Sequence, residues 1–264
     1  MRGQSNVLST VILTSLLMIV IIGVTAYALF VIEGSVEQAE YVRVKEVAIN
    51  LGQAAVTSVC GGYAAVFTLP MRTCGIEFNN TYLTMNVSLI INNTYVVNYT
   101  IGNVTEVLFP CGKYAPKPLS EVVDYGSNSY VVSSPLDVPL VTEKYSVSMG
   151  RPLIKLNMSR VVANLKKVLV NGLTYYILNI EAYNLSYRVV TSSGRLSIKC
   201  LGVKSINNLY STYLTSQARV SVAVTLYRGG SVIKTYIKEL GTINSVPTAL
   251  NASLTVYNVV VEVG

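Results

Sequence analysis

The residues able to carry chemistry are few, and their types narrow the choice more than their spacing does. The chain of 264 residues has no histidine, no tryptophan, four cysteines and nine Asp or Glu beyond residue 60. Without histidine there is no Ser-His-Asp or Cys-His triad and no zinc-protease helix motif, because the usual neutral-pH acid/base group and metal ligand is missing. The nine acids show no telling spacing for a glycosidase pair. Gly229-Gly230 lacks the Lys-Ser/Thr of a phosphate loop. No catalytic, metal or cofactor residue is assigned, and the chain is not expected to be an enzyme.

Cys60, Cys74, Cys111 and Cys200 contain no Cys-x-x-Cys pair, which argues against a zinc knuckle or a thioredoxin-like site. Their even number favours disulfides in an exported chain. Four cysteines allow three pairings; one of them, Cys60 with Cys74 and Cys111 with Cys200, would tether the end of an N-terminal helix to the rest of the chain. Buried free thiols are the alternative. Asn-x-Ser/Thr sequons stand at Asn79, Asn86, Asn92, Asn98, Asn103, Asn157, Asn184 and Asn251, more than chance predicts, and the first five are clustered. They are candidate glycosylation sites if the region is exported. The nineteen tyrosines are explained by strand propensity, since Tyr fits a half-buried pleated surface with its hydroxyl wet.

Only 12% of residues are charged, against 51% hydrophobic, for a net charge of +7. Residues 151–240 hold thirteen Lys or Arg and two Glu, a net of +11, whereas residues 1–150 are at −3. Such asymmetry suits head-to-tail contacts between copies or attraction to anionic glycans or mineral, although a solvated strand face explains it more simply. No recognition module accompanies the basic residues, so nucleic acid is not expected as a partner.

The elements that must position these residues begin with a run of twenty-six residues, 7–32, without charge or proline. As a helix it reaches roughly 39 Å at ~1.5 Å per residue, enough for a bilayer core of about 30 Å. Arg2 before it and Glu33, Glu37 and Glu40 after it place the N-terminus inside and the rest outside. Ala26-Tyr27-Ala28 keeps open a cleaved secretory signal, with a mature start at Leu29. Beyond the run, Tyr41, Val44, Ala48, Leu51 and Ala55 recur at helical spacing and predict a buried stripe on a continuing helix, with Gly61-Gly62 as its stop.

Met1-Arg2-Gly3, followed by Gln4-Ser5-Asn6 and the apolar run, resembles the class III signal peptide of archaeal type IV pilin-like proteins. The likeness covers about the first 55 residues. It implies cleavage between Gly3 and Gln4 by a prepilin-type peptidase, and membrane insertion before assembly. It further implies a helical filament of identical copies packed through the N-terminal helix. Val7, Leu16, Ile21 and Phe30, with the Tyr41 to Ala55 stripe, are then the assembly-helix residues. Leu8 stands where bacterial type IV pilins carry Glu, so the archaeal branch is the better match.

After residue 76 helical spacing gives way to β-branched and tyrosine-rich runs. Residues 82–90, 95–101 and 104–109 read as a three-strand meander bending at Asn92-Asn93 and Gly102-Asn103. Asn171-Gly172 and Gly229-Gly230 mark hairpins, and residues 254–263 a closing strand. Six of the eight prolines fall within residues 110–152, which predicts a long crossing or edge segments. The fold class expected is α+β: a leader at 1–3, a helix over 4–58, and a mainly antiparallel β-sandwich-like head over 59–264, with a subdivision near 110–152 left open. The leading function is a structural subunit of a type IV pilus-like surface filament used in adhesion. The alternative is a permanently membrane-anchored extracellular binding or envelope-associated domain.

Overall fold

The computed structural model describes the chain except residues 1, 62–63, 70–71, 190–194 and 245–246, and it describes no side chains at 2–9 and 58–61. Helix α1 runs Arg2–Gly61, 60 residues, or about 90 Å at ~1.5 Å per residue. Nothing in that stretch interrupts it, because the first proline is Pro70, and it ends at the first glycine of the Gly61-Gly62 pair. Three hydroxyls of its apolar half are satisfied within the helix. Thr14 donates to the Thr10 and Val11 carbonyls, Ser15 to Val11 and Thr25 to Ile21. Such back-bonding lets a polar side chain sit in lipid without an unmet donor.

Thirteen strands come after it among the described residues. They are β1 (Ala65–Thr68), β2 (Glu77–Ile91), β3 (Thr94–Pro110), β4 (Val122–Tyr125), β5 (Val131–Val132), β6 (Leu140–Ser146) and β7 (Arg151–Asn157). Then come β8 (Val161–Val170), β9 (Leu173–Val189), β10 (Arg195–Leu214), β11 (Ala218–Arg228), β12 (Ser231–Ile243) and β13 (Thr248–Val263). One sheet has the order β1-β10-β13-β9-β8-β5, the other β12-β11-β2-β3-β7-β6-β4. All pairs are antiparallel except β9 with β13 and β5 with β8. The chain is an α+β protein with a β-sandwich-like head, as its sequence pattern predicts.

The expected hairpins form at Asn171-Gly172 and Gly229-Gly230, where all four residues have positive φ, the geometry that matches a two-residue turn to strand twist. The expected three-strand meander does not form. Strand β3 continues through Gly102-Asn103; the irregularity is shared, with β2 carrying extra residues between Asn80 and Thr84 and β3 carrying Ile101 as an extra residue between the partners of Met85 and Asn86. The proline-rich stretch crosses between the sheets and supplies an edge to each, β4 to one and β5 to the other. Of the six prolines, Pro116, Pro118, Pro135 and Pro139 lie outside the strands, Pro110 ends β3 and Pro152 is the second residue of β7, so none interrupts the middle of a strand. Strands from either side of the crossing share sheets, β2 with β11 and β3 with β7, so it does not divide the head into two modules.

Two apolar cores fill the sandwich. One lies between the sheets, with Leu89, Val222 and Val224 facing Leu178, Ile180 and Leu254. The other is built around α1: Tyr41, Val44, Ala48, Leu51 and Ala55 pack with Val107, Phe109, Ile154 and Leu156 of one sheet and Leu196, Ile198, Val259 and Val261 of the other. The helical stripe is therefore covered by the chain's own head. Close approach is set by Gly52, where an added Cβ would lie 2.6 Å from the Pro139 Cβ and 3.1 Å from Leu156 Cδ1. A Gly52→Leu substitution is expected to cost about 1–3 kcal/mol by overpacking. Denaturant unfolding checks this, and an unchanged midpoint would mean that the helix is not docked this closely.

Candidate functional site

Helix α1 divides into two stretches with opposite surroundings. Every residue from 10 to 33 is exposed, including Leu16 at 56%, Ile21 at 54% and Phe30 at 53%. Val44, Ala48, Leu51 and Ala55 are at 0%. The candidate processing residues Gly3 and Gln4, and Val7, lie on the helix backbone, with side chains outside the described residues. Of the residues expected to serve assembly, Leu16 and Ile21 thus project from the head, and Phe30, though exposed, stands where the helix meets it. The five of the Tyr41 to Ala55 stripe are spent on mounting the helix and are not free to meet another copy. The exposed stretch is long and apolar enough to cross a membrane.

Polar contacts fix the mount on the head. Glu37 Oε2 accepts the Tyr114 N–H at 2.6 Å, and Glu40 Oε2 accepts the Thr73 N–H at 2.8 Å and the Thr73 hydroxyl. The Phe30 ring meets Tyr114 edge-on at 5.1 Å. The Cys74–Cys111 disulfide joins the two loops that these carboxylates hold. One turn further along, Lys45 pairs with Asp124 and lies 3.4 Å from Glu143 Oε2, to which the Tyr41 hydroxyl donates at 2.7 Å. Glu37 and Glu40 flank the apolar run in sequence and read as topology signals, while in the fold they also clasp loop backbone that would otherwise need water.

Titration of the mount has a definite sign. Burial, with Glu143 beside it, raises the Tyr41 phenol. Burial alone would lower the Lys45 ammonium, but the hydrogen bond and charge of Asp124, with Glu143, outweigh it and hold Lys45 above the usual Lys range. Both groups lie beyond the apolar run. A group whose pKa is raised on folding contributes fully below its unfolded value and loses that contribution as pH rises through the folded one. Thermal stability is therefore expected to start falling near pH 10, where an unfolded tyrosine begins to ionise, and Tyr41→Phe is expected to flatten that fall. Equal alkaline slopes for the two proteins would remove the mount as its source.

The cysteine pairing corrects the expected one. Cys74 bonds to Cys111, Cys200 is a free, half-buried thiol donating to the Gly202 carbonyl, and the Cys60 side chain lies outside the described residues. Hairpin register explains it: Glu77 faces Leu108, the Gly75 N–H reaches the Pro110 carbonyl at 2.8 Å, and the next step outward sets Cys74 opposite Cys111. Among the sequons, Asn79, Asn92, Asn98 and Asn103 are exposed, and all four lie on the β2–β3 hairpin or its turn. Asn86, Asn184 and Asn251 are half-buried. Asn157, at 7% exposure, donates its amide to Glu106 Oε1 at 3.0 Å, so the folded head withdraws it as an acceptor of sugar.

No family model, no curated protein and no solved structure matches the chain. Its own fold defines the class, a disulfide-bonded β head carried on one projecting helix.

Proposed function

We propose that the chain is a structural subunit of a type IV pilus-like surface filament, cleaved after Gly3 and assembled through residues 4–33 of its helix. The observation that carries this reading is the division of α1 into a naked apolar half and a half locked into the head. A helix that only tethers a domain has no need of a rigid mount, whereas a subunit that must present its helix at a fixed angle to its copies does. In lipid the apolar half is satisfied by acyl chains; in a filament it is satisfied by lateral packing against its copies. The exposed sequons of the β2–β3 hairpin supply the sugar-bearing outer face. Filaments are expected on cells that make the chain with its processing machinery and are expected to vanish when residues 7–32 are deleted. If no polymer forms with the intact chain, the filament reading fails and the permanent anchor replaces it.

A further inference from the structure

Among the described residues, one buried cation in the head has no counter-charge. Arg160, between β7 and β8, is 2% exposed, and no carboxylate of the described residues lies within ion-pair distance of it. Its Nε donates to the Ser127 carbonyl at 2.6 Å and its Nη1 to the Asn157 carbonyl at 3.3 Å. Burial pushes the guanidinium down to about 10, so it is still charged at neutral pH. A buried charge left without an opposite charge is costly, and folds keep one where something else neutralises it.

Arg160 lines an open cleft of about 430 Å³ with residues of β3, β4, β6, β7 and β12 and of the loop before β5. The guanidinium sits 5.4 Å over the Tyr130 ring, Tyr130 stacks on Tyr236 at 4.0 Å, and the Lys234 ammonium lies 4.7 Å from the Tyr236 ring centre. The two stacked rings thus carry a cation on each. Lys155, also in the cleft, is committed to Glu121 at 2.9 Å and lies near Glu106 at 3.8 Å. Those two acids are held in turn by Thr142 and Asn157. Arg160 and Lys234 are therefore the two cleft cations without a carboxylate partner among the described residues. Both belong to the strongly basic stretch of residues 151–240.

We propose that this cleft binds an acidic oligosaccharide, a glycan with carboxylates on successive sugars. Two rings separate Arg160 from Lys234, so a single carboxylate cannot touch both, while a chain of uronate residues can offer one to each. The Asn128 amide and the Tyr130 hydroxyl stand in the same cleft to meet sugar hydroxyls. The inference concerns the single subunit and does not depend on filament assembly.

The test is titration calorimetry on the full chain in detergent micelles, with a short oligogalacturonate and its fully methyl-esterified form as probes. The ester is expected to bind at least about tenfold more weakly. Lys234→Gln, on an exposed position, is expected to weaken oligogalacturonate binding by about tenfold, and Lys167→Gln, exposed on β8 outside the cleft, by less than about twofold. Arg160→Gln is expected to abolish binding; should that variant not fold, Lys234→Gln decides alone. The proposal is overturned if oligogalacturonate does not bind, if the ester binds as well, if Lys167→Gln costs as much as Lys234→Gln, or if inorganic phosphate displaces the sugar at equal concentration.

Discussion

Replacing Cys74 and Cys111 together with alanine is expected to lower the unfolding free energy by about 2–4 kcal/mol, the usual range for a disulfide closing a loop of this length. The bond spans 37 residues of sequence and closes that loop in the unfolded head. It also holds together the two loops whose backbone Glu37 and Glu40 clasp, so its loss loosens the mount of the helix as well as the hairpin ends. Limited proteolysis is expected to cut the double variant near residues 112–114 or 72–73 faster than the parent protein. Cys200→Ala, removing a free half-buried thiol at the margin of the core, is expected to cost less, about 1 kcal/mol. Equal denaturation curves for the double variant and the parent would mean that the bond does not constrain the fold.

The second large effect separates the two halves of α1. Ile21→Arg puts a charge into the exposed apolar stretch, where a central Arg costs about 2.5–3.5 kcal/mol of insertion. Filament yield is expected to drop more than about tenfold, with the thermal midpoint of the head unchanged because residue 21 is remote from both cores. Leu51→Ala should give the opposite signature. It empties a fully buried site shared by helix and sheets and is expected to cost about 2–5 kcal/mol of head stability, while the surface available to other copies keeps its composition. Electron microscopy and calorimetry on the two variants read both signatures. A destabilised head in Ile21→Arg would contradict the division of labour.

Much of the fold is legible in local pattern. The long helix, its buried stripe and the two glycine hairpins rest on signals within a few residues, and each appears where that pattern puts it. What the pattern does not disclose depends on pairing across distance. Strand β10, twenty residues long, is hidden in the sequence because Lys199, Gly202, Lys204 and Asn207-Asn208 interrupt its alternation. In the fold these residues sit at bulges opposite β13 or on the exposed side. The disulfide is obscured for a related reason: Gly102-Asn103 reads as a bend in the sequence although β3 is continuous there, and that reading conceals the two-strand register that carries Cys74 to Cys111. The lone Arg160 offers no sequence signal, since its isolation from carboxylates is set by residues distant in sequence that line the same cleft.

The most direct test of the filament account is the mature N-terminus of the chain in material sheared from the cell surface, read by N-terminal sequencing and intact mass. The account expects filaments whose subunit begins at Gln4, with the apolar helix retained and additional mass consistent with sugar. A chain found only in the membrane with Met1 intact, or released with Leu29 at its start, would contradict it.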